Sequence, residues 1–153
     1  MKRTVILALF ILLSIGSFAQ TFKYAFVTDT HVGSGTGEED LRRTVLDINQ
    51  QQDLDFVVIT GDITEMGTND ELKLAKSILA DLIKPYYIIP GNHDTGWSES
   101  GGVNFIKEFG YDKFMFDHKG YRFIACASGP YVRMSDGHIP RDATVWLEKI
   151  LKN

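Results

Sequence analysis

The sequence predicts an α/β domain built on a parallel sheet, and three observations carry that prediction. Three short runs rich in β-branched and aromatic residues, "FKYAFVT", "DFVVIT" and "YYIIP", have the composition of strands buried on both faces. Amphipathic helical stretches separate them. The strands recur at about 30 residues, the length of a right-handed βαβ unit. With 153 residues, 44% of them hydrophobic, and a formal charge of -4, the chain suits one globular domain or part of one. That charge, with no basic patch, gives no sign of a nucleic-acid partner.

The first 19 residues read as a leader. Lys2 and Arg3 precede eleven mostly apolar residues, Val5 to Ile15, and the stretch closes on Ser17, Phe18 and Ala19. This is the pattern of a secretory signal peptide cleaved after Ala19, which predicts export to the periplasm or the extracellular space and leaves residues 20–153 as the domain. An uncleaved signal anchor is the competing possibility. A spanning helix needs roughly 20 apolar residues, however, and Gln20, Thr21 and Lys23 follow too soon, so no stable membrane span is expected after cleavage.

The elements then follow in order. "FKYAFVT" (Phe22 to Thr28) is the first strand. "EEDLRRTVLDINQQ" opens with acids, as suits a helix N-terminus, and places Leu41, Val45 and Ile48 on one side. The second strand, Asp55 to Thr60, leads to a helix in which Thr68 and Glu71 have capping-box spacing. Leu72, Ala75, Leu79, Leu82 and Ile83 form its apolar face before Pro85. Tyr86 to Pro90 is the third strand. The Gly- and Ser-rich "DTGWSESGGVNF" reads as a mobile loop. "KFMFDHKGYRFIACAS" predicts a hairpin turning at Lys119 and Gly120. A last helix has Pro140 near its start and Ala143, Trp146, Leu147, Ile150 and Leu151 on one face. Cys126, the single cysteine, excludes an intrachain disulfide and reads as a small buried apolar residue.

In parallel sheets, ligands bind at the carboxyl ends of the strands. There the sequence places "TDTHVG", "TGDITE" and "PGNHD", so three polar clusters should converge on one rim. Asp29 and His31 are two apart, and on an extended segment they would face the same side and grip one cation with an oxygen and a nitrogen. Asp62 follows Gly61, where its two carboxylate oxygens can bridge two cations, and Asn92 offers a neutral carbonyl oxygen. Gly61 and Gly91 permit tight turns that bring backbone close to a bound anion. Taken singly, Asp29 and Asp62 also read as turn or capping residues, and Asn92 as a turn former. Their conjunction at three strand ends is what capping alone does not explain.

"DTH" (Asp29 to His31), "GDITE" (Gly61 to Glu65) and "GNHD" (Gly91 to Asp94), in this order and spacing, resemble the calcineurin-like metallophosphoesterase family. The resemblance implies a layered α/β/β/α sandwich around two divalent metal ions, manganese, iron or zinc. It implies that Asp29 and His31 bind the first metal, that Asp62 bridges and that Asn92 binds the second. It makes His93 the group that contacts the phosphate and protonates the leaving group, with Asp94 as the residue orienting its ring. Glu65 is expected behind the ligands rather than among them. The implied substrate is a small phosphate mono- or diester.

The family completes its metal shell with later histidines, usually an isolated one and then a Gly-His-x-His element. Here only His118 and His138 remain of four histidines. His118, beside the hairpin turn, is expected to be exposed, and His138 to lie on a loop or face the substrate. The sequence thus reads as the N-terminal part of the fold, with the second metal held by Asp62 and Asn92 alone. Two functions stand: a two-metal phosphoesterase whose activity is crippled in this chain, or an exported non-catalytic scaffold or degenerate homologue retaining one weak metal. The shortened edge is expected to favour self-association.

Overall fold

The structure, a computed structural model, describes residues 20–129 and 136–152; the leader lies outside them. The elements are β1 (Tyr24–Val27), α1 (Gly37–Gln50), β2 (Phe56–Thr60), α2 (Asn69–Leu79), β3 (Tyr86–Ile89), α3 (Asn92–Thr95), α4 (Val103–Phe109), β4 (Lys113–His118), β5 (Tyr121–Cys126) and α5 (Arg141–Leu151). Strands β1, β2 and β3 form a parallel sheet in sequence order, with Val57 beside both Ala25 and Tyr86, as the βαβ spacing requires. Strands β4 and β5 pair antiparallel about Lys119 and Gly120, both at positive φ, the conformation a two-residue hairpin turn demands.

The two faces of the parallel sheet bury different chemistry. On one, Ala25, Val27, Val57, Ile59 and Ile88 meet the apolar sides of the helices: Leu41, Val45 and Ile48 from α1, Leu72, Ala75, Ile78 and Leu79 from α2, and Phe105 from α4. On the other, Phe56, Val58 and Tyr87 meet the hairpin residues Phe114, Phe116 and Phe123. Aromatic stacking fixes that second layer. Phe116 lies 3.6 Å from Tyr87 and 4.9 Å from Phe123 between ring centroids, near parallel to each, while the Phe56 ring meets it edge-on. The result is a helix, sheet, hairpin stack, the mixed α/β layering expected. Helix α5 is tied to β4 through Lys113 and Asp142 (3.1 Å).

Four expectations need correction. β1 is not buried on both faces: it is an edge strand, the hairpin does not reach its far end, and Phe26 is 61% exposed. Helix α2 ends at Leu79, before Leu82 and Ile83. The Asn49 side chain, reaching over from α1, donates to the Asp81 carbonyl (2.8 Å) and accepts from the Ile83 amide (3.0 Å). That clamp turns the chain, so Ile83 is exposed while Ile78 takes its place in the core. On α5 only Ala143 is buried, and Leu151 is exposed. Cys126 is half-buried rather than buried; burial first, and then Asp112, push its thiol up, which disfavours a nucleophilic role.

Candidate metal centre

The loops that leave β1 and β2 run side by side. The Asp29 amide donates to the Gly61 carbonyl (3.1 Å), the His31 amide to that of Asp62 (3.0 Å) and the Val32 amide to that of Ile63 (2.8 Å). The Glu65 amide returns a bond to the Val32 carbonyl (2.9 Å). This pairing sets the two polar clusters against each other beyond the strand ends. The loop after β3 joins through Asp94, which is fully buried. Its carboxylate accepts from the Ile63 amide (3.2 Å), the Thr64 amide (3.0 Å) and hydroxyl (2.7 Å), and the Gly91 amide (2.9 Å). Burial pushes the Asp94 carboxyl up from the usual carboxylate range, and the donors from Gly91, Thr64 and Ile63 hold it back. Asp94 therefore ties loops together and does not touch the His93 ring, a correction to the expectation from the sequence.

The backbone at the rim is unusual. Asp29, His31 and Asp62 have φ of 56°, 46° and 49°, and the remaining positive-φ non-glycine residue among those described is Lys119 in the hairpin turn. The segment after β1 is not the extended one that the two-residue spacing predicts. Left-handed turns aim the side chains instead. Aspartate and histidine tolerate this region better than most residues, and such strain concentrates at functional sites. Gly61 serves the same end differently: a Cβ there would stand 2.5 Å from the Gly91 Cα, so the glycines let two loops touch each other.

These turns bring the predicted residues together. The His31 Nε2 lies 3.9 Å from an Asp29 oxygen, and one ligand atom each from Asp29, His31 and Asp62 falls within 4.8 Å of the others. The His31 Nδ1 meets the Glu65 carboxylate at 2.9 Å, which leaves Nε2 turned to the aspartates. The His93 amide donates to an Asp62 oxygen (2.9 Å), and its Nδ1 donates to the Glu65 carbonyl (2.6 Å). Since a carbonyl only accepts, Nδ1 carries a proton and Nε2 is the nitrogen left for chemistry. The His31 and His93 rings stand edge to face at 4.7 Å. Glu65 thus holds both histidines, one with its side chain and one with its main chain. This agrees with the expectation that Glu65 lies behind the ligands, while its hold on the His93 ring through the main chain had no signal in the sequence.

A cleft of about 520 Å³ opens over the rim, bordered by Thr28, Asp29, Thr60, Asp62, Asn92, Trp97 and Gly129. Asn92 is exposed in its wall. Among the described residues, Asp29, Asp62 and Glu65 make no ion pair with a lysine or arginine. Two carboxylates and an imidazole nitrogen within reach of one point are a fitting donor set for a divalent metal. A second group within the same limit, His31, Glu65 and His93, is the tether just described.

The remaining histidines fall elsewhere. His118 is not exposed: it sits at the amino end of the sheet, wedged edge-on between Phe22 and Phe56, with Nε2 3.4 Å from Asp55. β2 separates it from Asp62, about 17 Å of strand, so it is no ligand here. His138 is exposed on the loop whose Gly137 borders the cleft.

The family model for calcineurin-like phosphoesterases matches residues 22–152, and the chain belongs to that family. It is 32% identical over 137 residues to the "Probable glycerophosphodiester phosphodiesterase" of Arcobacter nitrofigilis, covering 82% of this chain and 50% of that protein. It is 26% identical over 140 residues to the "Probable cyclic nucleotide phosphodiesterase" of Fibrobacter succinogenes, covering 85% and 52%. A 40-residue stretch is 45% identical to the glycerophosphodiester phosphodiesterase of Enterobacter lignolyticus. The chain spans about half the length of the first two of these relatives.

Proposed function

We propose that the rim is the metal-binding side of a phosphodiesterase centre, with Asp29, His31 and Asp62 holding one divalent cation and Asp62 and Asn92 contributing to a second. The observation that carries this is the convergence of the three ligand atoms on one point, unanswered by a lysine or arginine among the described residues, with Asn92 across the same cleft. Cations there would polarise phosphoryl oxygens and acidify water for in-line attack. The chain's own residues do the rest. The Glu65 carboxylate fixes which nitrogen His31 presents, and the Glu65 carbonyl fixes the His93 ring. Nε2 of His93, when protonated, can supply charge to the phosphoryl group and a proton to the leaving oxygen. The 32% identity to a protein named for glycerophosphodiesters favours diesters as substrates.

Among the described residues the rim offers the second cation a shared carboxylate and a neutral amide, so that cation is expected to bind more weakly than the first, with turnover low. The free edge of β1, with Phe26 exposed, supports self-association of the chain. Export follows from the leader, with Gln20 as the mature N-terminus; N-terminal sequencing of periplasmic or secreted protein checks it. The site itself is tested by calorimetric titration of the purified chain with manganese. One binding event abolished by Asp62→Asn is expected, and titration heats indifferent to Asp29, His31 and Asp62 substitutions would overturn the site.

A further inference from the structure

Trp97 borders two clefts. It is 49% exposed, four residues beyond His93, with its ring 6.0 Å from the His93 ring. On one side it faces the metal rim, and on the other it walls a second cleft of about 410 Å³ shared with Met66, Asn69, Glu99 and Asn104. That volume lies within the range of small-molecule sites, roughly 300–1,000 Å³. The clefts meet at one indole, so a molecule with its phosphate at the rim would extend its organic part along Trp97 into the second.

The lining of that second cleft selects among organic parts by charge. It contains no lysine or arginine, and its one ionisable side chain, Glu99, makes no ion pair among the described residues. The half-exposed indole of Trp97 and the polarisable thioether of Met66 share the lining of this cleft with that carboxylate. An aromatic face attracts cations through its quadrupole, most strongly for tryptophan, and quaternary ammonium groups are recognised this way. A neighbouring carboxylate adds attraction without the hydration cost that a compact cation pays at a fully dry site. The cleft thus presents to a positive group the complement that the rim, once loaded with metal, presents to a phosphate.

We propose that Trp97 and Glu99 form a specificity subsite for a cationic amino-alcohol group, so that the chain favours phosphate esters of choline or ethanolamine type over uncharged ones. This rests on the phosphodiesterase reading of the rim. Asn69 and Asn104 offer the remaining hydrogen-bond donors and acceptors for the ester's hydroxyls.

The test uses the purified chain loaded with manganese and four probes: phosphocholine, its neutral isostere 3,3-dimethylbutyl phosphate, adenosine monophosphate and inorganic phosphate. Affinities come from calorimetry and, on a Trp146→Phe background, from the fluorescence of Trp97. Phosphocholine is expected to bind about tenfold tighter than the isostere and to perturb Trp97 emission. Trp97→Leu and Glu99→Gln should each collapse that ratio toward one, and in Glu99→Gln inorganic phosphate should bind as before. Equal affinity for phosphocholine and its isostere, or a ratio that survives both substitutions, overturns the proposal. So does tighter binding of the mononucleotide, which would make the indole a stacking platform for a base. If manganese and inorganic phosphate themselves fail to bind, it is the reading of the rim that has fallen, and the subsite with it.

Discussion

The two ends of β2 carry the same pair of residue types and put them to opposite uses. At the amino end, Asp55 faces His118 (3.4 Å) and is answered by cations and donors: Lys119 Nζ at 2.9 Å and the Lys23 amide at 3.1 Å. The Lys119 hydrogen bond, and then the one from the Lys23 backbone, hold the Asp55 carboxyl below its usual range. The His118 ring is packed against aromatics. At the carboxyl end, Asp62, Asp29 and Glu65 gather around His31 and His93 with no lysine or arginine among the described residues to answer them, on a backbone bent into the left-handed region. Aspartate beside histidine is therefore not a site by itself. Charge unanswered by a described lysine or arginine, together with strained backbone, is what distinguishes the candidate metal rim from a structural ion pair.

The largest expected effect breaks that contrast directly. Asp62→Asn should lower manganese affinity by at least about 100-fold, since one of the two carboxylates at the point where donors converge is lost, whereas Asp55→Asn should leave affinity unchanged. Calorimetry on both variants decides it, and equal losses would erase the distinction between the ends. His93→Asn sharpens it from within the rim. Metal content should stay nearly intact, while turnover, in a protein that carries the remaining ligands, should fall by about 10²- to 10⁴-fold, the usual contribution of a general acid. Loss of metal from His93→Asn would place that ring among the ligands.

A further substitution probes what holds the rim. Asp94→Ala leaves four donors facing a buried gap, from Ile63, Thr64 and Gly91. Orphaned buried donors cost about 1–3 kcal/mol each when nothing replaces the acceptor, so a total loss of at least ~3 kcal/mol is expected in urea unfolding. Asp55→Ala, at a wetter site, should cost clearly less. A smaller loss at Asp94 than at Asp55 would show that water refills the gap and that the three loops are held by other means.

Much of this was legible because its causes are local. Strand and helix order followed from periodicity, the α2 start from the capping box that Thr68 and Glu71 do form, and the hairpin from Lys119 and Gly120. The rim residues were legible because parallel sheets gather loops at one edge, so that Asp29, Asp62 and Asn92 had to meet. What escaped were the partners set by tertiary contact. Asn49 ends a helix that begins 20 residues later, and Asp94 serves residues some 30 positions back instead of its neighbour His93. The side chain of Glu65 finds His31 across 34 positions. Trp97 read as a loop residue because the second cleft exists only once that loop is folded against Met66. Left-handed backbone at Asp29 and His31 escaped too, since neither residue announces it as glycine would.

The smallest effect concerns pH and isolates the amino end. The folded Asp55 carboxyl lies below its ordinary value, through Lys119 first and the Lys23 backbone next. A depressed carboxylate contributes stability that is fully present above the unfolded value, near 3.9, and is lost as pH falls through the folded one. Wild type and Asp55→Asn should therefore differ in urea midpoint by a small, constant amount from neutral pH down to about 4, and the difference should shrink below that as the wild-type carboxylate takes its proton. Asp55 is solvent-accessible, so salt should reduce the gap as well. The same comparison on a Lys119→Met background should flatten this profile, because the first cause of the depressed carboxyl is then gone. If Asp55→Asn gave superimposable pH profiles on the two backgrounds, compensation by Lys119 would not be what separates the structural end of β2 from the candidate metal rim.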